Sequence, residues 1–353
     1  MSAGRPPKLA PQTDLRGRCG PSEPAPQAPP TAIHRRGEAL RCGLSDNEIR
    51  RYHRGQRWRR LRRGAYVNDA AFVDLDAIEQ HRLLIDAVLP EMADQTVLSH
   101  QSAALIYGCA LWQVPLGRVC VTRNRRHGGR IKPDMKMHCA PVDEVSMVDG
   151  YRLTTPARTL VDLARTLSLE PALAVGDALV GMFGIEWTDL AIELERAKFR
   201  HGIAHAKRVV ARLDGRSESV GESRSRVMLE RLGFPDPMSQ GNVFDATGTL
   251  IGRVDFYYEK SGVLCEFDGR AKYGRLLRPD QTPADAVYAE KLREDALRAS
   301  GFQVIRWTWN DLSDNTAAPR IQAAITRGTQ TTPTGYIHPA PLRDPRPLDI
   351  RPI

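Results

Sequence analysis

The chain has 353 residues, 41% hydrophobic and 26% charged, which permits globular cores, excludes wholesale disorder and suits two or three domains. Its net charge of +9 is concentrated: between Thr31 and Ala70 eleven Arg and no Lys face four acids (Glu38, Asp46, Glu48 and Asp69), a local net of +7. No run of eighteen apolar residues is present, which excludes a membrane-spanning helix, and the N-terminus lacks the apolar segment of a secretory signal. Six Cys occur without a C-x-x-C pair, and Cys120, His127, His138 and Cys139 match no zinc spacing. Reduced thiols, no zinc and a cytoplasmic location are therefore expected.

Residues 1–30 hold eight of the 25 Pro and residues 331–353 six, so both ends read as disordered tails. The next block, residues 31–70, predicts a helix over Ile33–Arg41 ended by Cys42-Gly43, then a second helix to Arg54. Ser45 and Glu48 have the S-x-x-E spacing of a capping box that would start that second helix. Two helices joined by a short Gly-containing turn have helix-turn-helix geometry. The second helix carries Arg50, Arg51 and Arg54. Arg57, Arg59, Arg60, Arg62 and Arg63 follow as a basic wing around Gly64, with Trp58, Leu61, Tyr66 and Val67 as apolar contacts. A charge run is usually a solvated face. Placed on a capped helix and a wing, and made of Arg, this one suits phosphates and guanine edges of double-stranded DNA.

The segment LRCGLSDNEIRRYHRGQRWRRLRRGAYV resembles the N-terminal winged-helix domain of AbiEi-type antitoxins of type IV toxin–antitoxin systems. LSHQSAALIYG (98–108) and LTTPARTLVDLAR (153–165) resemble the segment that follows it in actinobacterial relatives. The resemblance spans roughly residues 31–180 and implies a DNA-binding regulator, often autoregulatory, with a toxin-like protein as a possible partner. Residues 71–213 read as a mixed α/β middle domain, with helices around Leu75–Val88 and Pro156–Val180 and strands around Arg118–Thr122 and Lys136–Cys139. Thr154–Arg165 reads as a packed helix start without chemistry, and Leu213–Ser217 as a hinge.

Residues 217–315 alternate in the order α-β-β-β-α-β, from a helix at Ser219–Leu232 through a second at Ala284–Ala299 to a final strand at Phe302–Trp309. A hairpin centred between Lys260 and Ser261 pairs Val254 with Phe267, Phe256 with Cys265 and Tyr258 with Val263, an all-apolar face. The same register sets Asp255 opposite Glu266, Tyr257 opposite Leu264, and Arg253 opposite Asp268. Apposed carboxylates cost stability unless a raised pKa, a cation or basic side chains compensate. With Asp268 as a third, Asp255 and Glu266 suit Mg²⁺, and a metal so held activates water for phosphodiester cleavage. Glu222 in the first turn of the preceding helix would complete the site, with Lys272 or Lys291 as the basic assistant. The competing reading of Glu222 is a capping box with Ser219, and that of Lys291 an ordinary surface charge.

ESRSRVMLERLGFPDP, GRVDF, CEFDGRAKYG and EKLREDALRASGFQVIRWTW resemble the PD-(D/E)XK endonuclease superfamily and, more narrowly, very-short-patch-repair (Vsr)-like domains. The resemblance implies Glu222, Asp255 and Glu266 as the acidic positions. Asp268 stands where the orthodox motif has Lys, so the water-orienting group would have to come from elsewhere. The expected fold class is therefore α+β multidomain: an N-terminal winged helix, a mixed middle region and a C-terminal restriction-endonuclease-like domain. The expected function is DNA binding with possible Mg²⁺-dependent hydrolysis; the alternative is an antitoxin-like transcriptional regulator with an inactive nuclease fold.

Overall fold

The computed structural model describes residues 32–353 apart from 94, 126, 270–281 and 315. Residues 1–30, expected as a tail, and Lys272 lie outside the described residues. The fold is mixed α+β, in two compact units, one ending at Asp74 and the other Leu75–Ile353. No helix among the described residues is long and apolar enough to cross a membrane.

The N-terminal unit runs β1 (His34–Arg35), α1 (Arg36–Arg41), α2 (Asp46–Arg54), β2 (Trp58–Arg62), β3 (Ala65–Asn68) and α3 (Asp69–Val73). The capping box is present: Glu48 N–H donates to Ser45 Oγ at 3.3 Å, and Ser45 N–H donates to Glu48 Oε2 at 2.8 Å. Gly64 has φ +79, the left-handed conformation that closes the β2–β3 hairpin. The predicted helix over Ile33–Arg41 begins three residues late. His34 and Arg35 pair with Tyr66 and Ala65, giving a three-stranded antiparallel sheet of order β1-β3-β2. This pairing satisfies backbone groups that a longer α1 would otherwise have used. Among the described residues of the unit, Ala39, Ile49, Ala65 and Val67 are the buried apolar ones.

The second unit begins with α4 (Ala77–Val88), β4 (Thr96–Leu98), α5 (His100–Ile106), β5 (Val119–Asn124), β6 (Arg130–Ile131), β7 (Met135–Ala140), β8 (Glu144–Val148) and β9 (Tyr151–Thr154). The helices α6 (Pro156–Ala164), α7 (Leu169–Phe183), α8 (Trp187–Arg196) and α9 (Ile203–Val210) follow. The stretch predicted as one helix from Pro156 to Val180 is two. Ser168 adopts extended backbone at the N-cap of α7, and Thr166 Oγ1 donates to Asp162 C=O at 2.9 Å, closing α6. The helices and sheet enclose an aliphatic core that includes Leu98, Met135, Leu153, Leu160 and Leu173.

The α-β-β-β-α-β order then appears as α10 (Val220–Arg231), β10 (Met238–Phe244), β11 (Leu250–Tyr258), β12 (Val263–Asp268), α11 (Pro283–Ala299) and β13 (Gln303–Thr308). The predicted hairpin register is observed at Phe256–Cys265, Tyr257–Leu264 and Tyr258–Val263. Trp307 and Phe256, both fully buried, centre the core beneath this sheet. α10 lies so close to β12 that a Cβ on Gly221 would fall 1.9 Å from the Phe267 ring.

Two further expectations are corrected. After α12 (Ala318–Gly328) the Pro-rich end supplies β14 (Tyr336–Pro339) and β15 (Asp349–Pro352) instead of a disordered tail. β14 adds to β10 in the sheet β13-β12-β11-β10-β14, and β15 to β8 in the sheet β15-β8-β9-β4-β5-β7-β6. Both are outermost strands, where Pro is tolerated because one backbone edge needs no ladder partner. Leu213–Ser217 is no hinge. Asp214 N–H donates to Asp177 Oδ1 at 2.7 Å, while Ser223 Oγ–H and Arg226 Nη1 reach Asp177 Oδ2 at 2.7 and 3.1 Å. Asp177 is fully buried in α7 and thus bolts the middle block to α10.

Removing this carboxylate strands the Asp214 amide and the Ser223 hydroxyl and leaves Arg226 with only the Asp214 carboxylate, 3.8 Å away, and the Arg212 C=O. Asp177→Ala is expected to lower the free energy of unfolding by about 3 kcal/mol, read by urea denaturation followed by circular dichroism.

Candidate functional site

The basic surface is built by α2 and the β2–β3 hairpin. α2 buries Ile49, while Tyr52 leans on Trp58 with ring centroids 5.2 Å apart. Trp58 also stacks on His34 at 4.5 Å and lies 5.8 Å from Tyr66. This packing fixes the helix on the sheet and leaves Arg50, Arg51 and Arg54 exposed, with Arg57, Arg59, Arg60 and Arg63 exposed around the hairpin and Arg62 half-buried. The acids absorb only part of the charge. Asp46 holds Arg36 at 2.6 Å, Asp69 holds Arg59 at 2.7 Å, and Glu48 lies 3.9 Å from Arg51. Arg59 also lies over the Phe72 ring, 5.0 Å from its centroid. Among the described residues Arg50, Arg54, Arg60 and Arg63 have no ion-pair partner. Arg50 and Arg54 stand one helical turn apart on α2, so they share one face.

The carboxylates of the second unit are arranged otherwise than expected. The β11–β12 ladder runs from Tyr258–Val263 to Phe256–Cys265, and Asp255 and Glu266 are the next residues on the two strands in that register. Asp255 Oδ2 accepts the Phe267 N–H at 2.8 Å, on the strand β12 that pairs in parallel with β13 from Val263 to Asp268. Glu266 faces two guanidinium groups: Arg293 Nη2 lies 2.7 Å from Oε1 and Arg306 Nε 2.8 Å from Oε2. Both arginines also pair with Glu290. Burial opposes the charge on Arg293, but Glu290 and Glu266 outweigh it and raise its pKa. Burial likewise opposes ionisation of Glu290, and Arg293 with Arg306 reverses that and holds it below its usual range.

Glu222 is buried, and both of its oxygens are engaged. Ser219 Oγ–H donates to Oε1 at 2.7 Å; Glu218 N–H and Gln240 Nε2 donate to Oε2 at 2.8 and 2.7 Å. The capping interaction with Ser219 is therefore present, with Gln240 added. Asp268 is half-buried at the end of β12 opposite Thr308, and Arg253, its predicted partner, pairs with Glu218 instead. Lys291 is exposed on α11; Arg293, two residues on, is the basic group that meets Glu266. Arg293 and Arg306 escaped sequence reasoning because nothing in their local spacing marks them. The only cue was the energetic demand of a carboxylate on a covered strand.

Mg²⁺ takes carboxylate, phosphate and water oxygens in near-octahedral order. Glu266 offers its oxygens to arginines, and among the described residues no group of three His, Cys, Asp or Glu is placed to hold a metal ion. Asp255 Oδ2 is likewise engaged, by the Phe267 amide.

In the middle block the two quoted motifs meet. Leu98 pairs with Leu153, and Tyr107 Oη–H donates to Thr154 C=O at 2.7 Å. Asp162, buried on α6, accepts from Arg158 Nε at 2.8 Å and Arg165 Nη1 at 3.0 Å. Beside it His100, 3% exposed and with φ +53, stacks on His138 at 3.9 Å. Neither Nε2 has a hydrogen-bond partner. Burial pushes His100 down to about 4; burial and then the neighbouring His100 push His138 down to about 3. Both rings are thus neutral at neutral pH. Thr154–Arg165, expected as plain helix packing, also carries this buried ion cluster.

Residues 97–211 match the family model of the AbiEi antitoxin C-terminal domain. Both motifs lie inside that range, while residues 31–70 and 217–315 lie outside it. Two uncharacterized proteins of Mycobacterium tuberculosis, from strains CDC 1551 / Oshkosh and H37Rv, are each 29% identical over 183 residues. Those alignments cover 51% of this chain and 62% of each relative, so the chain spans under two thirds of the curated relatives it matches. A 3-dehydroquinate synthase of Rhodococcus opacus (strain B4) is 36% identical over 108 residues, 28% of either chain.

Two measurements check this geometry. Glu266→Gln removes one carboxylate from Arg293 and Arg306, which keep Glu290, and is expected to cost about 1–2 kcal/mol of stability in urea denaturation. The histidine pair predicts a pH dependence. An unfolded histidine titrates near 6.5, so stability present above that value is lost as pH falls toward 4, about 3 kcal/mol for His100 alone. Asp177, raised to about 6 by burial, loses stability in the opposite direction, as pH rises from its unfolded value through 6, and offsets part of the slope. His138→Leu should reduce the rise of stability between pH 4.5 and 6.5 by about 1.4 kcal/mol per pH unit, the slope of one proton.

Proposed function

We propose that this chain is a DNA-binding regulator of the antitoxin class, in which the N-terminal unit is a winged helix and the Leu75–Ile353 unit is a binding scaffold. The observation that carries the reading is the set of exposed, unpaired arginines on α2 and the β2–β3 hairpin, Arg50, Arg54, Arg60 and Arg63. The similarity of residues 97–211 to an antitoxin domain supports the class. In this reading α2 approaches the major groove of double-stranded DNA and the hairpin tip grips the flanking backbone. Guanidinium groups supply bidentate contacts to phosphate and guanine edges. A toxin-like protein would dock on the middle block.

In the same reading the α-β-β-β-α-β block is a nuclease-like fold without hydrolytic activity. The support is chemical: Glu266 neutralises two arginines, and Glu222 caps α10 and holds Gln240. Supercoiled plasmid incubated with the protein and Mg²⁺ or Mn²⁺ is expected to stay intact; cleavage abolished by Asp255→Ala or Glu266→Ala would restore the hydrolase reading.

DNA binding should be dominated by counterion release. Each phosphate contact contributes about −0.9 to the slope of log affinity against log salt. Replacing Arg50, Arg54 and Arg60 with Ala is expected to flatten that slope by roughly 2–3 and to weaken binding at least tenfold at low salt, measured by fluorescence anisotropy on a labelled duplex. An unchanged affinity and slope would sink the winged-helix reading.

A further inference from the structure

A half-enclosed cavity of about 200 Å³ lies in the second unit, where α7, the 213–219 junction and the C-terminal segment meet. Its charged wall residues are Arg216, Arg253, Arg343, Arg346 and a single acid, Glu218. With the Glu222 carboxylate just behind the wall, held by Ser219, Gln240 and the Glu218 amide, four cations against two carboxylates leave an excess of two positive charges around a small volume. Glu218 engages Arg253 and lies 2.6 Å from Arg343, while Arg216 Nη1 donates to Ala340 C=O at 2.6 Å. The Arg346 side chain has no ion-pair partner among the described residues, although its backbone N–H is anchored on Met182 C=O at 2.7 Å.

Two further features point inward. Ser217 lines the cavity and is 7% exposed, yet its buried Oγ makes no hydrogen bond. A buried hydroxyl without a partner costs free energy, which a bound acceptor would recover. Val220, also on the wall, opens the twelve-residue α10; Ser219 Oγ caps the Glu222 amide, and the Val220 and Gly221 amides ahead of it stand at the positive end of the helix dipole.

We propose that this cavity binds a phosphate-class oxyanion, with Arg346, Ser217 and the first turn of α10 as its ligands. The charge excess favours a multiply charged anion over a carboxylate, and the small volume, bounded by apolar Met182 and Leu342, admits a phosphate or diphosphate group. Arg343 and Arg346 come from the C-terminal segment, so an occupied cavity would also clamp that segment onto the junction. The inference is independent of DNA binding by the N-terminal unit.

The test is calorimetric titration of the full chain with inorganic pyrophosphate. Saturable binding is expected, weakened about tenfold by Arg346→Gln and several-fold by Ser217→Ala. Arg351→Gln, which alters a pair with Asp349 on β15, should bind as the parent does. Thermal melting confirms that each variant is folded; if Arg346→Gln is not, Arg346→Lys should bind with intermediate affinity. Displacement by a nucleoside 5′-monophosphate identifies a free nucleotide as the natural source. Displacement by a 5′-phosphorylated oligonucleotide but not its 5′-hydroxyl form identifies a strand end. Absence of saturable pyrophosphate binding, or binding indifferent to both Arg346 and Ser217, overturns the assignment. Arg50→Ala with Arg54→Ala should leave pyrophosphate binding intact, which separates failure here from failure of the DNA-binding reading.

Discussion

Asp177 is a fully buried carboxylate in the interior of α7, and much of the second unit is arranged around it. An isolated charge at that depth would be prohibitively costly, so donors must converge on it. They come from the segment after α9 and from α10: the Asp214 amide, the Ser223 hydroxyl and the Arg226 guanidinium. That convergence fixes where α10 starts. It thereby places Glu222 and the cavity wall, and sets Gly221 against Phe267 of β12. Asp214 continues the network by accepting from Ser239 Oγ–H on β10 at 2.5 Å. The middle and C-terminal blocks are one unit because each completes the other's buried polar groups.

The same rule governs two other covered acids. Buried Asp162 draws Arg158 and Arg165, and half-buried Glu266 draws Arg293 and Arg306. Pairs of this kind are weak evidence of net stabilisation, since desolvation offsets the attraction, but they enforce specificity because a wrong partner leaves a bare charge. Arg224 shows how far the demand reaches. It is 8% exposed, pairs with Glu170 on α7 at 2.6 Å and lies over the Trp112 and Trp309 rings. The N-terminal unit solves the opposite problem. Its acids are too few for its arginines, and the surplus stays in water, where it costs little.

The amino-acid sequence by itself determined what depends on local rules. The Ser45–Glu48 capping box, the turn at Gly64, the start of α6 at Pro156 and the β11–β12 register follow from spacing and alternation, and all are present. The concentration of arginine in residues 31–70 was equally legible, because charge counting needs no fold. Tertiary structure decided what depends on distant partners. Asp255 bonds a backbone amide and Glu266 two arginines because β12 pairs with β13 and packs beneath α11, neighbours that the hairpin alone does not reveal. The Pro-rich end becomes two strands because sheet edges at β10 and β8 are there to receive them, and an edge tolerates Pro where a lone peptide would stay disordered. Pairing over long separations is set by the whole packed chain, and only local propensity is written in the order of residues.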